Sequence, residues 1–166
     1  MSIRWERTTV SMREEMPLLW RTLGKWEGTY TWVDADGKIF DQHRANLTCE
    51  LIEADGEERY HQVNRYTWPD GRVEEIPFPA EYHDKQIFWD TERIKGRCWE
   101  ADDETMVLTW VRKDDPSGYF YEIINVSPDG LNKNRVWQFF ENGKVTKRTL
   151  INEVRTAWAP QHGKQD

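Results

Sequence analysis

The segment from Leu23 to Gly37 constrains the fold of this chain more than any other stretch. Three large aromatic residues, Trp26, Tyr30 and Trp32, lie at even spacing, so a β-strand would place them all on one face. The Asp36-Gly37 pair that follows is typical of a turn. A single strand cannot bury a row of large rings, and other strands must therefore close over it. The pattern predicts the first strand of a β-barrel.

Short segments that alternate apolar and polar residues follow this strand and are separated by turn signals. After a first strand at about 25–34, the alternation predicts strands at about 42–53, 58–68, 86–90, 93–100, 105–113, 118–127, 134–141 and 144–156. Pro77 and Pro79 exclude a central strand at 72–85 and predict an edge strand or a loop across the barrel mouth. These segments amount to about nine strands, mostly joined as hairpins.

A short helix should precede the first strand. Ser11 and Glu14 have the spacing of a capping box, which would start a helix there. Pro17 instead fits the first turn of a helix that begins at Met16 or Pro17 and runs to about Thr22. In either case, we expect the leucines of this segment to face the core.

These elements predict an all-β fold. We expect an antiparallel up-and-down barrel of about 8–10 strands, with the short N-terminal helix closing one end. The chain has 166 residues, which suits one domain better than two. The expected domain therefore covers 1–166, with an ordered core at about 11–157.

Composition excludes several classes of partner. The chain has 30 acidic and 23 basic residues, and its net charge of -7 argues against a nucleic-acid groove or a polybasic membrane surface. No stretch approaches the ~18 apolar residues of a membrane span, and the N-terminus lacks the apolar run of a signal peptide. We therefore expect a cytoplasmic protein. Cys49 and Cys98 each lie inside a predicted strand, which favours free, buried thiols.

The sequence carries no motif for a metal or a cofactor. His43, His61, His83 and His162 show no metal-ligand spacing, and the two cysteines lie far apart. The glycines fall in turns and not between a strand and a helix, which argues against a phosphate-binding loop. A nucleophile elbow is also lacking. We expect neither a metal nor another cofactor.

The opening of the first strand, Gly24-x-Trp26, follows a predicted helix and precedes a series of antiparallel strands. In this setting it resembles the calycin superfamily, which includes the lipocalins and the fatty-acid-binding proteins. The resemblance extends over about 17–156 and is carried by four blocks, at 23–28, 62–71, 135–140 and 147–155. These blocks look most like a bacterial and cyanobacterial lipocalin-like family known only as a domain of unknown function. More distantly, the chain is similar to the S-type phycobiliprotein lyases, which handle bilin chromophores.

The resemblance implies a lipocalin-like barrel in which Trp26 has a structural role. In lipocalins, the Trp of this motif packs at the closed end of the barrel, beneath the N-terminal helix. An Arg from the final strand covers it there. By that analogy, Arg148 or Arg155 is the partner of Trp26 in a stacked cation–π contact.

A barrel of about eight strands either encloses a small ligand or fills itself with side chains. If a cavity exists, its aromatic walls are expected to be Tyr30, Trp32, Tyr66, Trp110 and Trp137. The polar groups that would orient a ligand are Gln62, Asn64, Glu122, Arg135 and Arg148. In the alternative arrangement, Arg135 and Arg148 lie outside the barrel and Glu122 pairs with one of them. Both faces of 118–127 and 134–141 are apolar, so the inward face of these strands stays open.

Three functions are compatible with such a barrel. The first is binding of a small hydrophobic or conjugated molecule in the aromatic cavity. The second is a cofactor-free enzyme, an isomerase, cyclase or chromophore lyase, with Glu122 as acid or base and Tyr66 or His61 assisting. The third is a filled barrel that interacts with proteins, with an exposed apolar patch and a homodimer contact near 72–85.

Overall fold

The structure, a computed structural model, describes residues 11–163. The loose lead-in expected at 1–10 lies outside the described residues, as do 164–166. Within them, two short helices precede a series of strands and a final 3-10 turn. The elements are α1 (Met12–Glu15), α2 (Pro17–Arg21), β1 (Gly24–Asp34), β2 (Ile39–Ala54), β3 (Glu57–Thr67), β4 (Val73–His83), β5 (Gln86–Asp90), β6 (Ile94–Glu100), β7 (Thr105–Arg112), β8 (Gly118–Val126), β9 (Asn132–Glu141), β10 (Lys144–Trp158) and the turn Pro160–His162.

The strands of residues 11–163 form one closed antiparallel barrel with ten members. Each strand pairs with its neighbours in the sequence, and β10 pairs with β1 to close the barrel. The predicted all-β, up-and-down fold is confirmed, and β4 is the strand beyond the expected nine. Cys49 and Cys98 are free and buried. Among the described residues, no helix has the length and apolar character needed to span a bilayer.

The proline-containing segment is a strand that pairs along most of its length on one side and only at its end on the other. β4 pairs with β3 from Val73 to Glu81, but with β5 only from Glu81 to His83. Pro77 and Pro79 lie where β5 does not pair, as expected for residues without a backbone N–H. The edge-strand prediction therefore holds locally, and the loop alternative is wrong.

Two helices occupy the place of the single predicted helix. Ser11 is the N-cap residue of α1, but its side chain makes no capping hydrogen bond, so the predicted capping box does not form. α2 begins at Pro17, where the missing N–H costs nothing. Leu18, Leu19 and Leu23 are buried, as predicted. The helices therefore close one end of the barrel by covering its interior with apolar side chains.

The inward faces of β8 and β9 are defined by alternating burial. On β8, Phe120 and Glu122 are buried, while on β9 Arg135 and Trp137 are buried. The alternative in which Arg135 lies outside the barrel is therefore wrong. Glu122 and Arg135, which carry opposite charges, both lie inside the barrel.

Arg155 is the partner of Trp26 at the closed end. The Trp26 side chain is fully buried, and its Nε1 donates to the Thr22 carbonyl at 2.8 Å. The Arg155 guanidinium lies 4.2 Å from the Trp26 ring centre and 3.8 Å from the Trp158 ring centre. It also donates to the carbonyl oxygens of Leu23 at 2.6 Å and Gly130 at 2.7 Å. This one side chain therefore ties the last strand to the first and to the β8–β9 turn.

Replacing Arg155 by Lys should destabilise the barrel. Lysine keeps the charge but lacks the planar fork that reaches several carbonyl groups, so acceptors near Trp26 lose their donors. We expect the free energy of unfolding, measured in urea, to fall by about 2 kcal/mol or more. The matched control is Arg148→Lys, which should change it by less than about 0.5 kcal/mol because Arg148 makes no such contacts. Equal effects of the two substitutions would contradict this role of Arg155.

Candidate functional site

The barrel contains two adjoining cavities. The outer cavity has a volume of about 550 Å³ and includes the open end of the barrel. The inner cavity, of about 40 Å³, lies between the outer cavity and the helices, where Leu19 and Thr22 border it. Phe78, Trp110 and Trp137 border both cavities and so form the partition between them.

The outer cavity is lined mainly by rings. Its aromatic side chains are Tyr30, Trp32, His43, Tyr66, Trp68, Phe78, Trp110, Phe120, Trp137 and Phe139. All five predicted wall residues are among them. Neighbouring rings support one another, since Trp32 stacks on Phe139 at 5.3 Å and Phe78 stacks on Trp110 at 5.4 Å between ring centres. The walls are therefore packed side chains with their faces directed into a concave space.

The inner cavity is bordered by most of the predicted polar groups. Gln62, Asn64, Glu122 and Arg135 all line it. Its volume suits a water molecule or a small polar group more than a whole ligand. The predicted site residues therefore fall into two sets. The rings line the outer cavity, and the hydrogen-bonding groups line the inner cavity.

Two predicted site residues lie away from both cavities. His61 alternates with the inward-facing Tyr60 and Gln62 on β3, so its side chain is on the outer face. Arg148 precedes the buried Thr149 on β10 and likewise points outward. The register shift between Val145 and Lys147 changes the alternation at the start of β10. These two assignments are wrong because inward and outward positions differ by one residue.

Lys147, the neighbour of Arg148 on β10, is the basic side chain that faces the rings. Its Nζ lies 5.0 Å from the Trp32 ring centre and 5.1 Å from that of Phe139. A cation over ring faces is favourable in a partly exposed position. The mouth of the aromatic cavity therefore carries a positive charge at the side formed by β1, β9 and β10.

His43 is a cavity residue that the sequence reasoning considered only as a metal ligand. It shares the inward parity of Ala45 and Leu47 on β2, which was the signal that could have identified it. Its ring lies 4.5 Å from that of Trp68 and 5.3 Å from that of Tyr66. Its Nδ1 contacts Asp41 Oδ2 at 2.7 Å, and this contact orients the ring.

A buried ionic cluster lies beneath the rings. Arg135 Nη1 is 3.1 Å from Glu122 Oε1, and Arg135 Nη2 is 3.2 Å from Glu153 Oε1. Lys133 Nζ is 2.9 Å from Glu153 Oε2. Arg135 also donates a hydrogen bond to the Tyr30 hydroxyl. Two carboxylates thus face two cations, as burial of charge requires.

Gly28 makes room for this cluster. It follows the inward parity of Trp26 and Tyr30, but a Cβ at this position would lie 2.7 Å from Glu153 Cγ and 2.2 Å from the Asn152 carbonyl oxygen. A larger residue would therefore displace Glu153. Among the inward-facing positions of β1, Gly28 is therefore the one that leaves space for the Glu153 carboxylate of β10.

A line of hydrogen bonds runs along β3 toward the outer cavity. The Tyr60 hydroxyl donates to Gln62 Oε1 at 2.9 Å, and Gln62 Nε2 donates to Asn64 Oδ1 at 2.7 Å. Asn64 Nδ2 then donates to the Tyr66 hydroxyl oxygen at 2.8 Å. Because Tyr66 accepts here, its own O–H is available as a donor. The Tyr66 hydroxyl therefore keeps a donor at the wall of the outer cavity.

Burial dominates the acid–base properties of the interior. It raises the pKa of Glu122 above its usual value, and the opposing charge of Arg135 does not reverse this. Burial likewise raises the pKa of Tyr66 and, more strongly, that of Tyr30. A proton on Glu122 is therefore more favourable than on an exposed glutamate. Within residues 11–163, no group of three or more His, Cys, Asp or Glu side chains is placed to hold a metal ion.

Glu122 should leave a measurable pH dependence in the stability. A raised folded-state pKa contributes stability below the unfolded pKa, and this contribution is lost as pH rises through the folded value. From about pH 4.5 upward, the unfolding free energy of the wild type should therefore fall relative to that of Glu122→Gln. Urea titrations across this range measure the difference. The exposed Glu50→Gln variant controls for loss of one charge, and parallel profiles of wild type and Glu122→Gln would contradict the assignment.

Two solved structures share this fold. A protein of unknown function from the DUF3598 family of Nostoc punctiforme is similar, with a TM-score of 0.67 and 18% identity over 83% of this chain and 49% of that chain. This chain thus spans about half the length of the Nostoc protein. The S-type phycobiliprotein lyase CPES from Guillardia theta is similar with a TM-score of 0.67 and 15% identity, over 89% of this chain and 93% of that chain.

The family is established by a sequence match. Among curated proteins, no sequence matches this chain. A family model does match residues 12–157, which includes every strand except the last residue of β10. The description of that family is "Domain of unknown function (DUF3598), N-terminal". The chain therefore belongs to the DUF3598 family.

Proposed function

We propose that this barrel binds a small hydrophobic or conjugated molecule in the outer cavity. The observation that carries the proposal is the lining of a cavity of about 550 Å³ by ten aromatic or imidazole rings. Ligand sites in proteins typically have volumes of about 300–1,000 Å³ and mostly apolar walls. The ring faces favour a flat ligand, because stacked contact gives large buried area with little loss of side-chain freedom.

The position of polar groups supports a defined orientation of the ligand. The apolar walls end at Tyr30 and Tyr66, whose hydroxyl groups belong to the buried hydrogen-bonded network. Charged side chains lie at the opposite end, where Arg93, Arg112 and Asp114 border the cavity. A ligand with one buried polar group and an apolar body fits this gradient. Its buried group would accept from the Tyr66 hydroxyl.

The cavity argues against a filled barrel. That hypothesis required an interior without free volume, and the outer cavity contradicts it. The likeness to a phycobiliprotein lyase is a likeness of fold. It supports including bilins among the molecules to be tested. Oleic acid, retinoic acid and biliverdin represent a flexible apolar chain, a conjugated chain and a linear tetrapyrrole.

Phe139→Ala should weaken binding of whichever of these molecules quenches tryptophan fluorescence. Phe139 stacks on Trp32 and on Phe120, with ring centres 5.3 Å and 5.0 Å apart, and it lines the outer cavity. Loss of a central aromatic contact should raise Kd about 30-fold. The substitution leaves all ten tryptophans of the chain in place as reporters.

The matched control is Phe88→Ala on β5. Phe88 is also half-buried, but it lies on the outer face next to the buried Ile87 and lines neither cavity. The Kd of the Phe88→Ala variant should remain within about twofold of the wild-type Kd. A twofold change in Kd is small compared with the loss of an aromatic contact. Equal Kd values for both variants, or no quenching of the wild type by any of the three molecules, would reject the proposed site.

A second candidate function is cofactor-free catalysis at Glu122. The specific observation is a carboxyl group with a raised pKa at the wall of the inner cavity, directly behind the partition residues Trp110 and Trp137. Such a group can exchange a proton with a conjugated molecule whose polar end reaches past the partition into the inner cavity. Glu122 is 2% exposed, whereas the carboxyl groups that border the outer cavity, Glu74, Glu92 and Asp114, are exposed.

The catalytic role is tested on a ligand that first proves to bind. Incubation with the wild type should change the mass or absorption spectrum of that ligand, and Glu122→Gln should lower the rate at least 100-fold while quenching persists. Glu50→Gln, on the outer face of β2, should keep the wild-type rate. A rate unchanged in Glu122→Gln would remove Glu122 from the mechanism and leave the binding proposal intact.

A further inference from the structure

The outer face of β7–β10 has an ordered side-chain arrangement that ligand binding does not explain. Cross-strand pairing places its outward residues in rows that run across the four strands. The central row, called the aliphatic row, consists of Val107, Ile123, Val136 and Leu150. In residues 11–163, the last three of these side chains are between 41% and 50% exposed. A continuous ridge of branched apolar residues therefore faces solvent.

Different rows lie on either side of the aliphatic row. Toward the helices is an amide row, Thr105, Asn125, Asn134 and Asn152. Toward the mouth is a mixed row, Thr109, Tyr121, Gln138 and Arg148. Beyond it is an aromatic row, Val111, Tyr119, Phe140 and Val145, in which the two rings stack at 5.0 Å.

Only one of these sixteen outward side chains, Arg148, is charged. Charged residues make up 32% of the chain, which would correspond to about five among sixteen positions. The opposite outer face, on β2–β4, includes Arg44, Glu50, Arg59, Arg65, Glu75 and Glu81. Depletion of charge together with tyrosine and branched apolar residues is the composition of an interface core.

We infer that this face is a two-fold interface between two copies of this chain. The argument for a second copy is the order of the rows. A two-fold axis that runs along the aliphatic row places that row against itself and the amide row against the mixed row. Asn125, Asn134 and Asn152 of one copy then face Tyr121, Gln138 and Arg148 of the other, in that order.

The same axis also matches the outer rows. Val154 continues the pattern beyond the amide row and is 53% exposed, and the axis places it opposite the aromatic row of the second copy. Two sheets packed face to face in this way bury their branched side chains between them at a spacing of about 10 Å. The face is therefore complementary to itself and not merely apolar.

Size and charge agree with this partner. The sixteen side chains and their neighbours approach the roughly 20–30 residues that each partner supplies to a stable interface. Each copy has a net charge of -7, so two copies repel each other except where acidic residues are missing. The face on β7–β10 has no acidic residue in its four rows. The axis also points the two barrel mouths in opposite directions, so both outer cavities stay accessible.

Sedimentation velocity of the full chain over a range of concentrations tests the inference. The wild type should sediment as a dimer, and Val136→Glu should raise the dimer dissociation constant at least 100-fold, because the two new carboxylates face each other. Val73→Glu is the matched control on β4. Val73 is 45% exposed, close to the 41% of Val136, and the variant should remain dimeric.

A charge-swap experiment tests the two-fold geometry itself. Position 136 lies on the proposed axis, so Val136→Glu and Val136→Lys should each be monomeric, whereas an equimolar mixture should form a heterodimer. Circular dichroism and the urea unfolding transition establish that each variant is folded. A monomeric wild type, a Val136→Glu dimer as tight as the wild type, or a mixture that stays monomeric would overturn the inference. These outcomes do not depend on whether the outer cavity binds a ligand.

Discussion

The burial of the Arg135 guanidinium is the constraint on which the interior depends. An arginine that is only 5% exposed requires carboxylates and acceptors on several sides. Glu122 on β8, Glu153 on β10 and the Tyr30 hydroxyl on β1 supply them. These groups meet only because β10 pairs with β1. The buried charge of Arg135 is therefore fully neutralised only when the barrel is closed.

This cluster also determines where a ligand has room. Charged and amide groups occupy the interior near the helices, where side chains leave a cavity of only about 40 Å³. Beyond Trp110 and Trp137 the lining becomes aromatic and the cavity widens to about 550 Å³. The barrel is thus filled on one side of the partition and open on the other. The polarity of the lining falls from the ionic cluster to the rings.

Alternation along single strands was sufficient to predict much of the fold and the aromatic walls. Trp26 and Tyr30, two residues of one parity on β1, are both buried. Alternation failed where both faces of a strand are apolar, because Phe120 and Tyr121 then carry the same signal. It also failed at Arg148, since a shifted register reverses the faces. No local pattern shows that Gly28 leaves space for Glu153, because these residues meet only through the pairing of β1 with β10.

The same ambiguity in β8 and β9 has a physical meaning. Glu122 and Trp137 line the interior, while the adjacent residues Ile123 and Val136 belong to the outer aliphatic row. Both faces are apolar because one lines the cavities of the barrel and the other, by our inference, contacts a second copy. A contact on the outer face would restrain the backbone that carries Glu122 and Arg135. By this inference, association and the geometry of the buried cluster are linked through β8 and β9.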